Sequence, residues 1–167
     1  NAPTSLASRF DDKYCTEFDG LFNFSYEKGI PSIRNSNNFT ISAWINPYEI
    51  KQDSEYVILS ERDAVQNNWE ISLLNNQAVF TIWDGGTEYK YYSNPTFYTN
   101  AWQFFTLKYD GSNIIFYRNR GEVNRVTSGV ITNNYDISLF VGADYAYNRG
   151  FVGTLSDVKI YNQFVPE

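Results

Sequence analysis

The stretch NNFTISAWINP, Asn37 to Pro47, decides the fold. Phe39, Ile41, Ala43 and Ile45 alternate with Thr40, Ser42, Trp44 and Asn46, the period-2 pattern of a strand with one strongly apolar face. Such a strand belongs at the centre of a sheet. Asn35 to Asn38 form a polar turn before it, and Pro47, which has no N–H to give to a ladder, ends it.

Outward from this strand, the chain repeats the same unit. Tyr14 to Phe18 reads as a strand closed by the Asp19-Gly20 turn, and Phe22, Phe24, Tyr26 and Ile30 continue an extended aromatic segment. On the other side come Tyr56 to Ser60, then Trp69, Ile71 and Leu73 alternating with Glu70 and Ser72. Asn75-Asn76 makes a hairpin into Ala78 to Trp83, and Asp84-Gly85-Gly86 makes the next into Glu88 to Ser93. Trp102 to Tyr109, Ile114 to Asn119, Glu122 to Thr127 and Ile137 to Gly142 add further strands. In the last one, Gly150 to Asn162, the apolar positions change phase: Phe151 and Leu155 are odd, Val158 and Ile160 even. A β-bulge near Ser156-Asp157 restores both sets to one face. About ten short strands with Asn/Asp/Gly turns and no helical spacing predict an all-β fold, an antiparallel β-sandwich of the jelly-roll kind with its first and last strands paired.

Residues 1–13 lack periodicity and read as an N-terminal arm or linker remnant, leaving 14–167 as one domain. Hydrophobic residues make up 43% of the 167 and aromatics 19%, enough for a packed core. A net charge of −6 opposes nucleic-acid binding, which depends on cationic contact with phosphates. No apolar run is long enough to insert in a membrane. With no Met, the chain is expected to be a module excised from a longer polypeptide. The absence of His excludes Ser-His-Asp and Cys-His nucleophilic sites and His-ligated zinc. Cys15 reads as a small buried hydrophobe. Asn23-Phe24-Ser25 and Asn38-Phe39-Thr40 are glycosylation sequons.

Four segments, EFDG (Glu17 to Gly20), NFTISAWINP (Asn38 to Pro47), AWQFFTLKYDG (Ala101 to Gly111) and FVGTLSDVKIYN (Phe151 to Asn162), resemble the laminin-G-like, concanavalin A-like jelly roll of lectins, adhesins and modules appended to glycosidases. The family's YxNG strand-turn is met only in part by Tyr117-Arg118-Asn119-Arg120-Gly121, where Arg120 separates Asn119 from Gly121, so that hairpin is expected to have a different turn. The resemblance implies a secreted or cell-surface protein. It also implies a structural Ca²⁺, for which Asp19 and Asp157, beside the first and last strands, would supply carboxylate oxygens. An Asx turn before Gly20 is the competing role for Asp19.

The favoured reading is a non-catalytic carbohydrate-binding module whose partner is a glycan or glycoprotein. The alternative is a laminin-G-like adhesion module with a protein receptor, and the third a toxin-type receptor-binding domain. The chain is not read as an enzyme, because glycoside hydrolysis needs an acid and a nucleophile or base across one sugar bond. Glu70, Asp84 and Glu88 instead read as single solvent-facing acids. Sugar binding needs aromatic faces and planar polar partners. Alternation puts Phe80 and Ile82 inside and Trp83 outside, and leaves Lys108 outside beside Phe105, Leu107 and Tyr109. Trp83 and Lys108 are thus expected to bind the ligand together with the tyrosines Tyr89, Tyr91, Tyr145 and Tyr147. Trp69 and Trp102 are expected in the core, with Phe39, Ile41, Ile45, Phe105, Leu107, Val158 and Ile160.

Overall fold

The computed structural model describes residues 4–7, 14–20, 25–27, 33, 36–129 and 135–166. Its strands in chain order are β1 (Thr4–Ala7), β2 (Tyr14–Asp19), β3 (Ser25–Glu27), β4 (Phe39–Pro47), β5 (Tyr56–Arg62), β6 (Asn67–Leu74) and β7 (Gln77–Asp84). They continue with β8 (Thr87–Tyr92), β9 (Gln103–Tyr109), β10 (Asn113–Arg118), β11 (Gly121–Thr127), β12 (Leu139–Val141) and β13 (Val152–Tyr161). Two antiparallel sheets face each other, one ordered β1-β2-β13-β4-β9-β10-β11 and the other β3-β12-β5-β6-β7-β8. The fold is therefore the predicted all-β sandwich. β1 falls inside the stretch read as an arm and pairs with β2 at the sheet edge.

β4 lies between β13 and β9 in the middle of its sheet. Its odd residues Phe39, Ile41, Ala43 and Ile45 are buried in the core against Ile71, Leu73, Phe80 and Ile82 of the other sheet's strands. The Phe39 ring meets Phe80 across the sandwich at 5.8 Å and Tyr109 within its own sheet at 5.4 Å, distances at which aromatic pairs add to area burial. Thr40 and Ser42 are also buried, because the segment after β13 crosses this outer face: Thr40 Oγ1 donates to the Gln163 carbonyl and accepts from the Val165 N–H. The Phe164 N–H donates to Asn38 Oδ1.

β13 pairs with both β2 and β4, so the first and last segments of the domain meet as expected. Its register shifts between Ser156 and Lys159, with Asp157 at φ 51. The shift sets Leu155 opposite Ile45 and Ile160 opposite Ile41, the bulge that the change of apolar phase requires. Val158 and Ile160 pack against the core while staying partly exposed. Trp69 is buried as expected; Trp102, expected in the core, is only half-buried just before β9, where no strand pairing holds it inward. Cys15 is buried in β2. Phe22, Phe24, Ile30 and the Asn23 sequon lie outside the described residues.

Candidate functional site

The outer face of the six-stranded sheet is not a solvated surface. One row of directly opposed residues runs across four strands, Lys90, Thr81, Glu70 and Ser60. Glu70, read from the sequence as a solvent-facing acid, is only 1% exposed. A buried carboxylate needs a partner, and Arg149 is that partner. Its Nη1 donates to Glu70 Oε1 at 2.8 Å and its Nη2 to Oε2 at 2.7 Å, the bidentate fork that matches guanidinium to carboxylate. The same guanidinium donates through Nε to Asp144 at 2.9 Å and through Nη1 to Glu55 at 3.1 Å. Lys90 closes the chain on Glu55 at 2.6 Å, and Arg62 stands 4.0 Å from Glu70. Ser60 and Thr81, which flank Glu70, have buried hydroxyls without a hydrogen-bond partner among the described residues.

Three carboxylates, Glu55, Glu70 and Asp144, thus gather around one arginine, although no strand carries them as a cluster. Burial pushes the Glu70 carboxyl above the usual carboxylate range, and the Arg149 charge pulls it back in part. Burial also works against the Arg149 charge, but Glu70 and Asp144 outweigh it and hold that guanidinium more firmly protonated than usual.

Arg149 and Asp144 lie on the loop from β12 to β13, which folds over this face. The Gly142 N–H donates to the Ile58 carbonyl, the Val57 N–H to the Arg149 carbonyl, and the Phe151 N–H back to the Gly142 carbonyl, each at 2.8 Å. Gly142 has φ 81, and a side chain there would run into the Phe18 ring, so glycine is required for the loop to start where it does. Between this loop, the segment before β5 and β8 lies an open pocket of about 470 Å³. Lys51, Asp53, Ser54, Glu55, Tyr56, Leu74, Lys90, Asn148 and Arg149 line it.

The structure separates the residues expected to act together. Trp83 is on the outer face, as alternation predicts, but it is 9% exposed because the Arg62 guanidinium sits over its ring at 5.0 Å. The same guanidinium lies over the Tyr145 ring at 5.4 Å, so Trp83 and Tyr145 share one cation, which covers ring surface that a stacked sugar would need. Tyr147 is 43% exposed, with its ring edge-on to Phe140 at 6.4 Å. Tyr89 and Tyr91 oppose Ile82 and Phe80 and so share their phase, away from Trp83; Tyr91 packs on the core. Lys108 belongs to the other sheet altogether.

Asp19 and Asp157 do not converge. Asp19 opposes Val152 at the start of β13, whereas Asp157 sits further along, in the bulge. Among the described residues no three His, Cys, Asp or Glu side chains form a metal-holding group, and Asp19 and Asp157 are not brought together as the shared carboxylate ligands expected for Ca²⁺.

The sequence reading missed Arg62, Glu55, Asp144 and Arg149 as site residues. The one local signal was an acid at the centre of an apolar strand, Glu70, which is seldom solvent-facing when both neighbouring strands are interior.

Two facing antiparallel sheets define an antiparallel β-sandwich domain of the jelly-roll kind. The chain belongs to the concanavalin A-like lectin/glucanases superfamily, whose Laminin_G_3 model matches residues 26–166. No curated protein sequence is detectably similar to it. Among solved structures, it is similar to the binding domain of paraclostridial mosquitocidal protein 1, with TM-score 0.77 and 18% identity, over 98% of this chain and 43% of that one. This chain therefore spans less than half of that domain's length. It is also similar to domain 4 of an extracellular arabinanase from Geobacillus stearothermophilus in complex with arabinotriose, with TM-score 0.74 and 16% identity, over 98% of this chain and 77% of that one. A third similar structure is the binding domain of botulinum neurotoxin DC in complex with rat synaptotagmin II, with TM-score 0.73 and 15% identity, over 99% of this chain and 43% of that one.

Proposed function

We propose that this domain is a non-catalytic module of a secreted or surface protein that binds a neutral oligosaccharide in the pocket between the β12–β13 loop, β8 and the segment before β5. The observation that carries the reading is the Arg149 network. It holds Glu55, Lys90 and Arg149 in fixed orientations on the pocket wall, beside Asn148, Asp53 and Ser54. A sugar's hydroxyls need donors and acceptors at set angles, and groups already tied to each other lose little freedom when they bind. The arabinotriose-bound domain of similar fold supports the ligand class.

Isothermal titration of the full chain with arabinotriose and other neutral oligosaccharides tests this. Binding should be lost or weakened roughly tenfold in Asn148→Ala, as expected for removing about one good hydrogen-bonding side chain. Wild-type affinity retained in Asn148→Ala and in Lys90→Met, or no binding to any neutral oligosaccharide, would overturn the assignment.

A further inference from the structure

The opposite face of the sandwich carries a second pocket, of about 540 Å³, on the outer side of the seven-stranded sheet. Phe104 and Lys108 of β9, Tyr117 of β10, Arg120 of the β10–β11 turn, and Lys159 and Tyr161 of β13 line it. The molecule has a net charge of −6, yet the described lining of this pocket holds three cations and no carboxylate. A concave site of one charge sign on a molecule of the other sign concentrates its field on an incoming counter-charge.

Two details show that the cations are placed rather than scattered. Lys108 is 5% exposed, with its ammonium 4.7 Å from the Tyr117 ring centre and 5.2 Å from that of Phe164. A charge so withdrawn from water interacts more strongly with an arriving anion than an exposed one does. Arg120 stands at φ 71, after Asn119 at φ 51, in the two-residue turn that joins Arg118 to Gly121. That turn position favours glycine, and a larger residue kept in a strained backbone region points to a use for its side chain. The Arg120 side chain lines the pocket.

Aromatic walls decide what kind of anion fits. Tyr161 is exposed, and Phe104 is half-buried with Trp44, its cross-strand partner, beside it at 5.2 Å. Ring faces beside cations suit a pyranose that bears an acidic group, whereas an inorganic anion would make no use of them. We propose that this face binds an anionic saccharide, a sugar with a carboxylate or sulfate substituent, through Lys108, Arg120 and Lys159 with Tyr161 and Phe104 against its ring. It lies on the other sheet from the neutral-sugar pocket and stands independently of that reading.

The test is titration of the full chain with trigalacturonate, a heparin-derived tetrasaccharide and a neutral trisaccharide, at low and high NaCl. One of the two acidic probes should bind, and which one does identifies the acidic group. Its affinity should fall with salt, drop roughly tenfold or more in Arg120→Gly, and stay unchanged in Asn148→Ala. Arg120→Gly suits the turn, so folding is kept and lost binding reports the side chain. The proposal is overturned if neither acidic probe binds, if the neutral one binds as tightly in Asn148→Ala, where the other pocket is disabled, if inorganic sulfate alone binds as well as the tetrasaccharide, or if folded Arg120→Gly keeps full affinity. Loss of neutral-sugar binding alone would bear only on the other pocket.

Discussion

Arg149 compensates a buried acid that has no access to water, so its removal should cost far more than an exposed ion pair. In Arg149→Met, Glu70 keeps, among the described residues, Arg62 at 4.0 Å as its one cation, and breaking a buried pair in this way costs about 3–5 kcal/mol near neutral pH. The pH dependence follows from the direction of the Glu70 shift. A carboxyl held above its unfolded value stabilises the fold fully below the unfolded pKa, and that contribution is lost as pH rises through the folded one. Without Arg149 the shift widens, so the gap between variant and wild type in urea unfolding should narrow on acidification from about pH 7 to about pH 4. Adding Glu70→Gln should make that gap depend less on pH, the remainder coming from Asp144 and Glu55, which also lose Arg149; a gap that widens in acid would contradict the arrangement. Trp83 makes a second residue-scale case. Because Arg62 caps its ring, Trp83→Ala should lower the melting temperature, with a loss of about 3 kcal/mol or more as for other buried aromatics. Unchanged stability would show the ring to be a free platform.

At the scale of single elements, what the sequence made legible is what local chemistry controls. β4 shows its inward face by alternation, and β13 betrays its bulge by a change of phase, because side chains on a strand have no other way to reach one core. Turn residues were legible for the same reason: Gly85 and Gly86 take φ 55 and 83 in a two-residue hairpin. The β10–β11 turn has the same shape with Asn119 and Arg120 in those positions, so an intervening arginine changes the strain rather than the turn type. Arg120→Gly should therefore raise stability by about 1 kcal/mol, read as a higher urea midpoint with an unchanged slope. A lower midpoint would mean that Arg120 packs the hairpin in place.

Over the whole molecule, legibility ended where a distant segment covers a face. Alternation says that Glu70 and Trp83 leave the core, but not that a loop will fold over them; Arg149 is 79 residues from Glu70 in sequence. For the same reason Lys108 and Trp83, both outward by alternation, were grouped although they sit on opposite sheets. The three-carboxylate cluster was invisible too, since Glu55, Glu70 and Asp144 come from three separate segments. That cluster does not supply a free acid and base pair, because all three carboxylates already accept hydrogen bonds from one permanent cation. No sustained release of reducing sugar is expected from oligosaccharides incubated with the domain. Release that disappears in Glu70→Gln would refute this.

The β12–β13 loop is an Ω-loop, closed at its base by the Phe151 to Gly142 hydrogen bond and at one flank by Val57 to Arg149. In its tip, Tyr145 packs on Arg62 and Tyr147 on Phe140, which leaves Ala146 and Asn148 as the positions whose side chains can change without disturbing the sheet. Exchanging those two for unrelated residues should alter which ligand is preferred while amide exchange at Val57, Gly142 and Phe151 stays at its wild-type rate. A scaffold built this way can acquire new recognition by substitution at a few tip positions, with the ring of charges around Arg149 as the fixed frame.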